Sequence, residues 1–152
     1  MKGRNNINMK KHYMIITNER DYLCDLRNNF SFVGFPSRNM NSIKDMKYGD
    51  LLVFYITKHS KFVACVEVCG EYFYSNTKVW DDEYDLWPHR IKTRPILFVD
   101  KVKKGVFIKD IWENLSFISN KIKWGSQVQG SFRRISESDY DVIFSSIKGK
   151  NL

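Results

Sequence analysis

LLVFYITKHSKFVACVEV, residues 51–68, is the stretch on which the fold turns. Leu51 to Ile56 is an unbroken apolar run, rich in aromatic and branched side chains and far short of the roughly 18 residues a membrane span needs. Such a run reads as a strand covered on both faces, which places it in the middle of a sheet. Lys58 to Lys61 supplies a polar turn. Phe62, Ala64, Val66 and Val68 then alternate with Val63, Cys65, Glu67 and Cys69, the pattern of a second strand paired back as a hairpin.

Outward from this hairpin, Tyr13 to Thr17 (YMIIT) reads as a first strand ended by Asn18. Asp21 to Asn29 reads as a short helix capped by Asp21, with Tyr22, Leu23 and Leu26 on one face. FSFVGFPSRNMN, from Phe30 to Asn41, fits neither periodicity and is expected to be an ordered loop, with a single turn from Asn41 to Met46 behind it. On the other side, Tyr72 to Trp87 contains Asp81, Asp82, Glu83 and Asp85 and is expected to be a long exposed loop. Arg90 to Val99 reads as an edge or bulged strand because of Pro95. Ile108 to Leu115 is expected to be a short amphipathic helix, followed by a loop and another strand. Ser136 and Asp139 have capping-box spacing ahead of Tyr140, Ile143, Phe144 and Ile147. Strands, hairpin and scattered helices without βαβ alternation predict an α+β fold, a small curved mixed β-barrel with short peripheral helices.

At 152 residues the chain holds one domain. Residues 1–11 carry Lys2, Arg4, Lys10 and Lys11 without an acid and are expected to be a basic flexible arm, with residues 12–148 as the domain and 149–152 as a tail. Twenty-five Lys and Arg against 17 Asp and Glu give a net charge of +8, which favours a polyanionic partner. The 3 cysteines include no CxxC pair, and no hydrophobic segment follows the basic N-terminus, so a cytoplasmic protein without disulfides is expected.

The chemistry-bearing patterns narrow the choice. Cys65 and Cys69 with His12, His59 or His89 lack metal-ligand spacing, so no metal or other cofactor is expected. No GxSxG nucleophile elbow and no phosphate-cradling glycine loop is present. What stands out is aromatics beside polar residues in the predicted loops: Phe32 and Phe35 before Ser37 and Arg38, Trp80 and Trp87 around the acidic run, and Trp124 before Ser126 and Gln127. Rings from separate loops can sandwich a flat base while neighbouring groups read its edge. For Trp87 and Trp124, plugging the barrel ends is an equally good reading. Arg90, Lys92 and Arg94 on one strand side, and Lys121, Lys123, Arg133 and Arg134 near Trp124, would contact phosphates.

Five segments, HYMIITNERDY, KYGDLLVFYI, FVACVEVCGEYFYS, LWPHRIKTRPILF and LSFISNKIKWGSQVQGSFRRISESDYDVI, resemble EVE domains in order from His12 to Ile147. The resemblance implies a PUA-like barrel related to YTH domains, with a cleft for a modified cytosine or methylated adenine in DNA or RNA and no catalysis. Carried over by position, it implies a pocket bordered by Asn18, Gly34, Phe35, Pro36, Ser37, Arg38, Trp87, Pro88, Arg90, Trp124, Gly125, Ser126 and Gln127, joined by Phe32 and Trp80. Relatives often place Trp directly before the glycine matching Gly34. Here Val33 stands there, and that wall is expected to be either missing or supplied by a Phe. Two other readings stay open: an ASCH-like amidohydrolase acting on acylated cytidine through Glu67, Lys58 or Lys61 and Thr57, and a protein-interaction module docking through Asp81 to Asp85.

Overall fold

The structure, a computed structural model, describes residues 9–82 and 85–151. The strands are β1 (His12–Thr17), β2 (Phe32–Phe35), β3 (Leu51–Ile56), β4 (Lys61–Tyr74), β5 (His89–Phe98), β6 (Val106–Phe107) and β7 (Phe132–Ile135). Three α-helices accompany them among the described residues: α1 (Glu19–Arg27), α2 (Met40–Ile43) and α3 (Glu137–Lys150). The sheet runs β2-β5-β4-β3-β1-β7, with β6 pairing beside β4. β3 is central, as its apolar run requires: β4 pairs with it antiparallel and β1 parallel.

Register breaks curl this sheet into a half-barrel. β4 shifts against β5 between Cys65 and Val66, next to the Pro95 pairing, and again between Val68 and Tyr72. Each extra residue bends the strand and increases its twist. Beyond Lys92, β5 loses β2 as a partner, so Pro95 sits on an open edge as well as beside a bulge. The two ends of the curl face each other without a ladder. Phe35 of β2 meets Phe132 of β7 edge-to-face at 5.2 Å, and Arg38 donates to Ser131 at 3.2 Å.

The core has two layers. Inside the curl, the fully buried Tyr22 packs on Phe30 and Phe54 and donates its hydroxyl to the carbonyl of Val99 at 2.8 Å. Burying a ring of this size contributes roughly 2–3 kcal/mol. Outside it, α3 lays Tyr140, Ile143 and Ile147 on the sheet, with Phe144 half-buried and stacked on Tyr140. Cys65 lies beneath α3, where burial pushes its thiol up to about 12, a structural thiol.

Several elements differ from the sequence reading for local reasons. Asn18, not Asp21, caps α1, because its side chain accepts from the Asp21 amide at 2.8 Å and leaves Asp21 turned inward. The expected loop at 30–41 contains β2, a 3-10 turn at Ser37–Asn39 and the start of α2; β2 is too short to show alternation. The expected helix at 108–115 is two 3-10 turns, Ile108–Asp110 and Trp112–Asn114. Only half of the capping box forms: Ser136 accepts from the Asp139 amide, while the Asp139 carboxylate takes the Ser116 amide and hydroxyl instead. Lys11 joins the fold through Asp50 and Asp45, and Gly149 and Lys150 complete the last turn of α3; residues 1–8 and 152 lie outside the described residues.

Candidate functional site

β1 ends, and α1 begins, at the mouth of a cavity of about 90 Å³ in the seam between β1 and β2. One enclosed water needs roughly 10–15 Å³, so there is room here for a flat ring. Ile15, Ile16, Val33 and Phe54 give it an apolar floor, Trp80 and Trp87 its aromatic walls, and Thr17, Asn18, Asp21, Asp25 and Ser131 its polar edge.

Gly34 determines how the walls meet. A Cβ there would lie 2.5 Å from Trp80 Cη2 and 2.9 Å from Trp87 Cβ, so only glycine lets both tryptophans close on β2. Trp80 is just 6% exposed, its Nε1–H donating to Asp25 Oδ1 at 2.8 Å and Phe32 meeting it edge-to-face at 5.8 Å. The wall expected to be missing or a Phe is an indole, and Phe32 stands behind it.

Trp87 is held by the acidic run. Its amide donates to Asp85 Oδ1 at 2.8 Å and its Nε1–H to Asp82 Oδ2 at 3.1 Å, while its φ of +53° is left-handed, a conformation bulky residues avoid. The Asp81-to-Asp85 segment thus turns two of its acids toward the tryptophan; Glu83 lies outside the described residues. Arg90, only 1% exposed, fastens the same segment by donating to the carbonyls of Trp87, Leu86 and Thr77, with its guanidinium 5.2 Å from the Trp80 and Phe32 rings. It serves the wall from behind and is not free to contact phosphate.

The sequence reading makes Asp21 a helix cap and gives neither it nor Asp25 a place in the pocket. Asp21 and Asp25 stand one turn apart on the inner face of α1, 7% and 5% exposed. Burial pushes the Asp25 carboxyl up to about 7, with Trp80 lowering it and Asp21 raising it. Burial also raises Asp21, against the lowering pull of Asn18, Arg20 and the Asp81 main chain. Asn18 Nδ2 donates to Asp21 Oδ2 at 3.2 Å, but Oδ1 has no hydrogen-bond partner among the described residues. An unsatisfied buried acceptor costs roughly 1–3 kcal/mol. The signal that would have found the pair is its i, i+4 spacing around the core residue Tyr22.

Of the other expected pocket residues, Phe35 closes the seam, and Pro36 and Pro88 are buried beside it. Ser37 Oγ lies 3.3 Å from His89 Nε2, and Arg38 reaches the pocket rim through Ser131. Trp124, Gly125, Ser126 and Gln127 do not line the cavity. Trp124 packs on Trp112 at 6.0 Å under Lys109, Ser126 bonds back to Lys123, and Gln127 accepts from Ser119. The expected phosphate contacts are dispersed. Arg94 pairs with Glu67 at 2.7 Å, Lys121 with Glu113 at 3.8 Å, and Lys92 lies over Gly70. Arg133 holds the Gln127 carbonyl, Arg134 lies over Tyr13, and Lys123 is exposed beside Trp124. A depression that shares Asn18 with the cavity is lined by Glu19, Arg20, Thr57, Lys58 and His59, none of them expected to border a base pocket.

The amidohydrolase trio does not assemble. Glu67 pairs opposite Leu51, six residues from Thr57. At about 3.3 Å per residue that is roughly 20 Å from Thr57 and Lys58.

The curled, mixed half-barrel with short helices is the PUA-like α+β fold that YTH domains share. The chain belongs to the EVE domain family, whose model matches residues 12–146. A UPF0310 protein of Pyrococcus abyssi is 36% identical over 123 residues, covering 74% of this chain and 83% of its own. The Mmi1 YTH domain superposes with a TM-score of 0.65 at 10% identity, over 92% of this chain and 96% of its own. The YTH domain of the Zygosaccharomyces rouxii MRB1 protein, solved in complex with N6-methyladenosine RNA, gives 0.61 at 11% identity, over 92% and 88%.

Proposed function

We propose that this chain is a non-catalytic reader that takes one modified nucleobase, flipped from an RNA or DNA strand, between Trp80 and Trp87. The observation that carries the reading is the convergence of two indoles over Gly34 on a ring-sized cavity. Family membership and the RNA-bound YTH neighbour support it. The apolar floor of Ile15, Val33 and Phe54 suits an added methyl group, while Asn18 and the two carboxyls border the hydrogen-bonding edge. Arg38 at the rim, with Arg20 and Lys58 beyond Asn18, would meet the flanking phosphates.

Anisotropy titrations with single-stranded RNA and DNA oligonucleotides, each with and without one 5-methylcytosine or N6-methyladenine, test this reading. At least one modified strand binds more tightly than its plain counterpart. Stacking contributes roughly 1–3 kcal/mol per base, so Trp87→Ala weakens that strand by about 5- to 150-fold. Trp124→Ala leaves it unchanged, because Trp124 packs elsewhere. Equal affinity for all strands, insensitive to Trp87→Ala, would sink the proposal.

A further inference from the structure

We infer that the base admitted to this pocket carries an exocyclic amine with both hydrogens free, read by Asp21 and Asp25; this rests on the base-reading proposal above. The charged lining is of one sign. Asn18 has both ends of its amide committed to Asp21, and the Ser131 hydroxyl accepts from Arg38. No Lys or Arg lines the cavity among the described residues. The charged side chains of the lining are therefore two carboxyls, and Asp21 Oδ1 is buried with no hydrogen-bond partner among the described residues.

The two aspartates lie at i and i+4 on α1, where Cβ atoms stand about 5–6 Å apart. The two hydrogens of a primary amine diverge, and one group between the carboxyls serves both. Cytosine, adenine and guanine rings have such an amine beside a ring nitrogen. Uracil and thymine instead turn a carbonyl oxygen toward the carboxyls, lone pair against lone pair. Alkylating the amine replaces one donor with a methyl group facing an acceptor. The tolerated modification therefore sits on the ring and not on the amine.

The test uses the whole chain and six single-stranded oligonucleotides differing only at one central position: 5-methylcytosine, thymine, N4-methylcytosine, adenine, N6-methyladenine and an abasic site. 5-Methylcytosine and thymine share size and methyl group and differ at the amine edge. The inference expects 5-methylcytosine to bind at least tenfold more tightly than thymine and N4-methylcytosine, and N6-methyladenine to gain nothing over plain adenine. In Asp21→Leu the 5-methylcytosine preference over thymine falls below threefold; the wild-type series decides alone should that variant fail to fold. Trp87-dependent binding with equal affinity for 5-methylcytosine and thymine, or tightest for N6-methyladenine, overturns the amine reading and leaves the base pocket standing. Binding no tighter than to the abasic strand overturns both.

Discussion

At Asp25 the cost of building this pocket can be measured as a titration. The unfolded carboxyl releases its proton near its ordinary value of 3.8, whereas burial in the fold holds the proton until about 7. Between those values the folded state binds a proton that unfolding releases, so stability falls as pH rises from 4 through 7 and levels off above it. Asp25→Asn removes this dependence and can still accept from Trp80. The variant is expected to be more stable than wild type at pH 8, by up to about 4 kcal/mol, with the gap closing toward pH 4. Urea midpoints across that range check it, and parallel curves for the two proteins would remove Asp25 from the account. The sequence offered little hint of this role. An aspartate in the opening turns of a helix ordinarily reads as a partner of the helix dipole or a cap, and only the three-dimensional placement of Trp80 turns Asp25 into a buried acceptor. The aromatic types were legible; which of them converge was not, because Trp80 and Trp124 have similar polar neighbours in the chain.

Among elements, the connection between β4 and β5 departs most from its sequence. Its acids and polar residues describe an exposed loop, yet it delivers both pocket walls, because Arg90 fastens three of its carbonyls from a buried strand position. Arg90→Lys keeps the charge but loses the planar fork. It is expected to destabilise the protein by roughly 2–4 kcal/mol and to speed limited proteolysis in this connection, while β3 and β4 stay protected. Unchanged cleavage would show that the connection holds without the guanidinium. The hairpin, β1 and α3 were readable because their apolar spacing is long enough to have a period. β2 and the 3-10 turns were not, since four residues or fewer carry no period and their order comes from tertiary partners.

At the scale of the whole molecule, the net charge of +8 overstates what is available at the pocket. Lys2, Arg4, Lys10 and Lys11 lie before the first strand, and Arg94, Lys104 and Lys121 are paired with acids. On the proposed reading, binding depends on the pocket more than on the field. The logarithm of affinity for a modified strand is expected to fall with the logarithm of salt concentration at a slope no steeper than about −3, from the few cations at the rim. A slope near −8 would instead assign binding to the basic surface as a whole. The seam carries one more consequence. Cavity residues come from positions as far apart as Ile15 and Ser131, and β1 must be enclosed between β3 and β7 before they meet. Contacts so distant along the chain form late. During synthesis on the ribosome, the cavity therefore stays incomplete until the chain through Ser131 has been translated.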